Sequence, residues 1–360
     1  MSAKSYSNQK YALSIVSIFY NIALILIFLG SGFSLRLESF VRSLGIEGYL
    51  LAAVYLLIIL FFYGLLSLPI AFYSGFVLEH KFNLTKQTLS AWIKDQIKAA
   101  ALSFIISLIL ILTFYWLLSR FEQWWLEVAI FWILFSIVLA KLTPILIIPL
   151  FFKYKKLEDE VLRVKILGLA EKMKVKIVDV FEIDFSKKTL KANAAFTGMG
   201  KTKRVLLADT LKGKYTHDEV EVILAHEFAH YRLKHIIQMI GLNSLITLGL
   251  FYLIFKTNGY YLETFKLNSL SQPASLPLVF LYFTLFGIIT QPLEAFISRV
   301  FERQVDRLAL KVTGSKEAFI SLMEKLAGQN LADRNPYPLV KFFFFDHPPI
   351  DERIELAKNS

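Results

Sequence analysis

The sequence predicts a mainly α, polytopic membrane protein: a barrel or bundle of about six spanning helices with a cytoplasmic insert that contains a small β-sheet. Three observations carry this. Of the 360 residues 56% are hydrophobic and only 19% charged, an excess of apolar over charged residues for a soluble domain. The apolar residues fall in long blocks, and a spanning helix needs roughly 20 of them in a row. One sizeable stretch, Lys153–His235, breaks the pattern and reads as soluble.

Six blocks qualify as spans: Tyr11–Phe33, Tyr49–Gly75, Ala99–Leu118, Trp125–Phe151, Ile236–Phe255 and Ser275–Phe296. The second and fourth are long enough to tilt or to leave the bilayer before they end. Tyr11–Phe33 is too long for the apolar core of a secretory signal and is read as structure. Lysine and arginine set the orientation. Lys4, Lys10, Lys81, Lys86, Lys94, Lys98, Lys153, Lys155 and Lys156 lie in one set of loops, whereas the alternate loops are poorer. The positive-inside rule then places both termini and the soluble stretch in the cytoplasm. The formal charge of +11 is explained by these loops and calls for no nucleic acid.

Within the soluble stretch, Glu158–Lys174 has helical spacing, Lys176–Asp184 alternates as a half-buried strand, and Val205–Ala208 reads as a second strand. Ala192–Lys201 is a glycine-containing turn region. Thr216 with Glu219 three residues later fits a capping box that opens the next helix. The chain thus divides into residues 1–150 with four spans, 151–235 as the insert, 236–300 with two further spans, and a cytoplasmic segment 301–360.

There is no cysteine, which excludes disulfides, Cys-ligated zinc, iron–sulfur clusters and thiol nucleophiles. Histidine is scarce too, yet three of the six fall in Ala225–His235, AHEFAHYRLKH. Residues four apart on a helix share a face, so His226 and His230 can aim their rings at one point. Glu227 stands beside them, as in the H-E-x-x-H arrangement of zinc peptidases, where the glutamate is general base. The plainer reading is a surface helix with solvated histidines; the capped amphipathic setting favours the metal. His235 falls away from the His226/His230 face at helical spacing.

Catalytic zinc needs a third protein ligand and an open position. Arg299, Glu302 and Asp306 form one polar stripe just after the last span, on the side where the histidines lie. Glu302 as ligand with Asp306 orienting a ligand or the substrate is one reading. An exposed ion-paired face, with Arg303 and Arg307 nearby, is the other, and the pattern alone does not choose.

These segments, taken in order, resemble the type I CAAX prenyl proteases, integral-membrane zinc endopeptidases, over nearly the whole chain. Pro69–Lys98 resembles the family's cytoplasmic segment with its Lys-Gln-Thr, Asp184–Lys188 its Asp-x-Ser-Lys-Arg element, and Ala192–Thr210 its Asn-Ala segment. AHEFAH, SRVFERQVD and His347-Pro348-Pro349 with Arg353 complete the set. The resemblance implies one zinc per chain held by His226, His230 and Glu302, with Glu227 activating water. It implies a supporting or proton-handling role for Asp306 and an oxyanion-stabilising role for His347. It also implies that Asn193 and Ala194 receive the substrate backbone, with Arg299 and Arg353 in support. The implied substrate is a peptide or protein with an apolar or isoprenylated C-terminal segment, at a multi-pass site in an ER or, more in keeping with this chain, a bacterial inner membrane. The family has seven spans around an intramembrane chamber; six are found here and the first resembles the family's second, so one wall would have to be supplied otherwise.

Two other readings are weighed. An HtpX-like quality-control protease shares the zinc logic but usually has fewer spans and lacks the Asp-x-Ser-Lys-Arg and His-Pro-Pro elements. A transporter or scaffold with structural zinc is the reading from another class, with Gln238, Asn243 and Gln291 lining a pathway or packing between helices.

Overall fold

The computed structural model describes residues 2–198 and 203–360. Six helices are long and apolar enough to cross a membrane: α1 (Ala3–Gly30), α3 (Gly48–Lys81), α4 (Leu89–Arg120), α5 (Trp124–Phe151), α8 (His235–Thr264) and α9 (Pro273–Thr313). The shortest has 28 residues, about 42 Å at 1.5 Å per residue, so each outruns a hydrocarbon core of ~30 Å. The six expected spans are therefore found: α5 nearly matches its expected bounds, α1 starts earlier but ends at Gly30 instead of Phe33, and the other four run on into the flanking sequence. α3 and α5 each contain a π-helical turn, Tyr73–Val77 and Thr143–Ile147, beside Pro69 and Pro144, whose missing N–H groups upset the regular ladder.

Neighbouring helices follow the order α1, α9, α8, α5, α4, α3. The ring returns to α1 through side chains: Tyr20 OH donates to the Leu66 carbonyl at 2.9 Å and Tyr63 OH to Asn21 Oδ1 at 3.2 Å. Lys10 Nζ donates to the Ser74 carbonyl at 3.0 Å. Six helices thus close a circuit. In the most apolar window of α1 only 6% of residues are buried, as also in α5, against 50% in α9. A solid bundle would bury a stripe of every helix; α1 and α5 bury almost none of theirs.

The end of the ring away from the insert is packed shut. A short helix α2 (Phe33–Ser43), the connection over residues 265–272 and the first turn of α9 lie over it, and Tyr55, Leu56, Val128, Phe251, Ile254 and Leu276 form its core. Ser34 Oγ lies 2.6 Å from Tyr55 OH and donates to the Ala274 carbonyl at 2.6 Å, and Glu38 accepts from the Ala274 amide at 2.9 Å. These polar groups of the plug are paired, as burial requires, while the buried Tyr115 hydroxyl of the same core has no hydrogen-bond partner among the described residues.

The insert begins with β1 (Tyr154–Lys156), followed by α6 (Glu160–Lys172), β2 (Val180–Ile183), β3 (Ala194–Thr197), β4 (Arg204–Ala208) and α7 (His217–Arg232). The sheet order is β1-β2-β4-β3, with β2 and β4 parallel and the outer pairs antiparallel. β3 is an edge strand that pairs Ala194 with Leu207 and Phe196 with Val205. The turn expected over Ala192–Lys201 is therefore a strand at residues 194–197, and its remainder lies partly outside the described residues. The insert hangs on the ring by its loops: Thr85 Oγ1 donates to the Lys188 carbonyl at 2.7 Å and the Leu190 amide to the Leu84 carbonyl at 2.7 Å.

The C-terminal segment adds α10 (Lys316–Asn330), α11 (Pro338–Phe344) and α12 (Ile350–Lys358). It shares one apolar core with the insert: Ile166, Val180, Leu224 and Phe228 pack with Val305, Ala309, Phe319, Leu322 and Ile354. α9 runs without a break through residue 300, where the sequence suggested a boundary. One helix is both membrane wall and part of this core.

Candidate active site

α7 starts where its residues say it should. Thr216 Oγ1 accepts from the Glu219 amide at 3.2 Å, and Glu219 Oε2 accepts from the Thr216 amide at 2.7 Å. Glu219 also accepts from Ser321 Oγ at 2.6 Å and Lys325 Nζ at 2.7 Å, tying the helix start to α10. Burial works against its charge, but Lys325, Ser321 and the Thr216 amide hold the carboxyl below its usual range.

Two turns later His226 and His230 meet edge to face with ring centroids 5.0 Å apart. From α9, Glu302 Oε2 lies 3.3 Å from His226 Nε2, and Oε1 lies 3.1 Å from His230 Nε2. Donor atoms of the three residues all fall within 4.8 Å of one another. Ligands around a tetrahedral zinc with bonds of about 2.0–2.1 Å are separated by roughly 3.3 Å, so this donor set fits such an ion. Glu302 Oε2 is buried with no hydrogen-bond partner, an orphan that a cation would satisfy. Among the described residues no other group of three such side chains converges in this way.

Each histidine is held from behind. His226 Nδ1 lies 2.8 Å from Asp306 Oδ1, and Asp306 in turn accepts from Arg353 Nε at 2.8 Å and Nη2 at 2.7 Å. Asp306 is fully buried. An Nδ1–H donated to this carboxylate leaves the Nε2 lone pair facing Glu302 and His230. Burial opposes a charge on His226, but Asp306 and Glu302 outweigh it and push the pKa up to about 9.

His230 is held by a residue expected elsewhere. His235 does not turn away: its Nδ1 lies 3.2 Å from His230 Nδ1, and its Nε2 lies 3.1 Å from Gln304 Oε1. Gln304 can only accept at that oxygen, so His235 Nε2 donates to it and Nδ1 is left as acceptor for the His230 Nδ1–H. His230 Nε2 then carries its lone pair toward Glu302. His235 is stacked on Phe301 at 4.1 Å and is 2% exposed. The cause of the misreading is local. α7 ends at Arg232, Lys234 takes a left-handed φ of 58°, and α8 starts at His235, so helical spacing no longer predicts its direction.

His347 arrives from the loop before α12, with Nε2 3.5 Å from Glu302 Oε1 and Nδ1 2.8 Å from Asp346 Oδ1. Burial opposes its charge, while Asp346 and Glu302 raise its pKa above the ordinary value. Arg299 stays out of the cluster: its buried guanidinium donates to the Lys341 carbonyl at 3.0 Å and to the Phe345 carbonyl, clamping the segment that leads to His347. Glu227 follows His226 on α7, and Asp306, then Glu302 and Glu227, raise the Arg353 pKa against burial. Asn193 and Ala194 lie at the start of the edge strand, where the Asn193 carbonyl accepts from the Ala208 amide at 3.1 Å. Phe196 of the same strand packs on Phe228 and Tyr231 of α7, at 5.3 and 5.7 Å. Sequence reasoning misread the direction of His235 and missed Gln304 and Phe301, whose partnership with it appears only in the packing of the two helices.

A ring of membrane helices that carries, on one insert helix and one wall helix, a two-histidine, one-carboxylate cluster with a glutamate beside it defines a multi-pass membrane metalloendopeptidase. Residues 1–153 match the family described as CAAX prenyl protease N-terminal, five membrane helices, and residues 156–360 match peptidase family M48. The chain belongs to the CAAX prenyl protease group of that peptidase family. It is 31% identical to the uncharacterized metalloprotease YhfN of Bacillus subtilis, across 99% of this chain and 84% of that one. It is 33% identical to CAAX prenyl protease 1 of Saccharomyces cerevisiae, across 81% of this chain and 68% of the yeast protein. The crystal structure of S. mikatae Ste24p superposes with a TM-score of 0.89 at 29% identity, covering 99% of this chain and 88% of that one.

Proposed function

We propose that this metalloendopeptidase uses one zinc per chain, held by His226, His230 and Glu302, to cut peptides with an apolar or isoprenylated C-terminal segment. The reading rests above all on the convergence of those three donors within 4.8 Å across two separate helices. When bound, zinc supplies Lewis acidity, polarising a scissile carbonyl and bringing a water pKa towards about 7.

The protein's own residues do the rest. Glu227 takes the proton of the attacking water and returns it to the leaving amine. Asp306 and His235 hold the two imidazoles in the tautomer that leaves Nε2 free, and Arg353 keeps Asp306 ionised. His347, with a raised pKa, is a donor for the oxygen of the tetrahedral intermediate. The substrate backbone adds to the free edge of β3 beyond Asn193 and Ala194. Lysine-rich loops support a cytoplasmic face for the site and both termini, in a bacterial inner membrane. In a host without prenylation the substrates are apolar membrane or misfolded polypeptides.

Glu227→Gln tests the reading directly. The variant should bind zinc in the same ratio as the parent, by metal analysis, and lose peptide cleavage by a factor of about 10² or more. Cleavage retained at the parental rate would remove Glu227 from the mechanism.

A further inference from the structure

The start of α1 is bonded to both sides of the active site, through two of its faces. Tyr6 and Lys10, one turn apart, meet Glu79 at the end of α3: Tyr6 OH donates to Glu79 Oε1 at 2.6 Å, and Lys10 Nζ lies 2.9 Å from the same oxygen. Lys191 completes the group, with Nζ 3.0 Å from Glu79 Oε2 and donating to Tyr6 OH at 2.8 Å. Lys4 and Tyr11 meet Asp333 instead, in the 331–337 connection between α10 and α11. Lys4 Nζ donates to the two Asp333 oxygens at 3.1 and 2.9 Å, and Tyr11 OH donates to Oδ2 at 3.2 Å. We infer that Glu79 and Asp333 are positioning residues for peptide cleavage. Glu79, through Lys191, sets the edge strand β3; Asp333, through Tyr11 and Lys4, sets the loop that carries His347. The inference rests on the roles given above to β3 and His347.

Each contact has a short route to the chemistry. Only Ala192 and Asn193 stand between Lys191 and the first residue of β3, so a shift of the lysine passes to the strand. On the other face the Tyr11 ring meets that of Phe345 at 6.2 Å, and His347 follows two residues later. Lys4 Nζ also lies 4.6 Å from the ring centre of Tyr337, which caps the start of α11.

The two carboxylates are withdrawn from solvent, with the Asp333 side chain 2% and that of Glu79 12% exposed. Ion pairs in such places are weakly screened and hold their geometry. α1 has little else to hold it, since its apolar stretch is almost unburied. Its start is fixed by these contacts and by the small core that Tyr6 forms with Leu78, Phe82 and Leu84. One helix end thereby ties the strand that takes the substrate to the loop that brings the oxyanion donor.

Four variants of the full chain in lipid nanodiscs test this, with an unmodified apolar peptide as reporter. Glu79→Gln should raise KM at least about tenfold with kcat unchanged, the sign of lost ground-state binding. Asp333→Asn should leave KM alone and lower kcat at least about tenfold, part of the ~10²–10³ lost when an oxyanion donor is removed outright. Zinc content should stay parental in both. Tyr6→Phe and Tyr11→Phe keep their rings and remove one hydroxyl each. They should show the same split in smaller measure, and they decide the matter if a carboxylate variant fails to fold. Parental KM and kcat per zinc-loaded molecule, or one common loss in both arms, would overturn the inference and leave the peptidase reading standing. A parent that cuts no peptide would overturn that reading instead, and amide exchange would then decide. Faster exchange at residues 194–197 in Glu79→Gln and at 345–347 in Asp333→Asn would uphold the positioning; parental exchange in both would end it.

Discussion

His235 Nδ1 lies 3.2 Å from His230 Nδ1, and the far nitrogen of His235 lies 3.1 Å from Gln304 Oε1. A glutamine on the wall helix thus fixes, through a second imidazole, which nitrogen of His230 is free.

That chain of bonds predicts a metal phenotype for a residue that is no metal ligand. His235→Phe preserves the stacking on Phe301 and removes the acceptor. Zinc affinity should fall about 10–100-fold, the usual effect of losing an orienting partner, while the fold persists. Competition with a fluorescent chelator measures it. Gln304→Leu should show a smaller loss in the same direction, and an unchanged affinity in both variants would remove the relay.

The Asp306–Arg353 pair makes a different prediction. Both side chains are withdrawn from solvent and meet at 2.7 and 2.8 Å. Arg353→Ala would strand a buried carboxylate, a change that costs about 3–5 kcal/mol. Thermal unfolding in detergent should record the drop with or without zinc. Asp306→Asn keeps the shape, and its effect should appear mainly as weaker metal binding.

Glu219 is expected to matter well away from the cluster. Glu219→Ala deletes one half of the capping box and leaves the Ser321 and Lys325 contacts without their acceptor. The loss should be roughly 2–3 kcal/mol, about 1 from the cap and the rest from unmet hydrogen bonds. The start of α7 should exchange its amides faster, while metal stoichiometry stays at the parental value.

Acid stability should carry the mark of Asp179. Arg163 Nε donates to it at 2.8 Å, and Arg163, helped by the Val180 amide and against burial, lowers its pKa from 3.8 to about 2. Because the folded value is the lower one, the pair stabilises fully above pH 3.8 and loses that contribution as pH falls to about 2. Arg163→Gln should therefore be less stable than the parent by a constant amount near neutrality. The gap should shrink as pH falls through that window. A gap that widened in acid would contradict the pairing.

Much of this architecture was legible beforehand, for physical reasons that differ by element. The spans follow from length and apolarity, which the bilayer enforces whatever the neighbours do. The start of α7 followed from Thr216 and Glu219, because a cap is a local transaction of four residues. His226 and His230 share a face by helical geometry alone. Glu302 was half legible: the stripe was visible, but only tertiary packing shows it meeting two imidazoles rather than water. The direction of His235 was not legible, because it depends on one left-handed backbone angle at Lys234. β1 escaped because three residues, two of them lysines, carry no alternation to read. The target of Arg299 escaped as well, since its partners are backbone carbonyls of a helix 42 and 46 residues away. Finally, the insert and the C-terminal segment looked separable in sequence but share one core.

The uninterrupted course of α9 makes the bilayer itself a component of the catalyst. The rod that is long and apolar enough to cross a membrane also delivers Glu302 and the Asp306 carboxylate behind His226, with no joint between them. A thicker or thinner host membrane that changes its tilt must carry the metal ligand along. Turnover measured in short- and long-chain lipids would then report how far the anchorage of the wall governs the reactive centre.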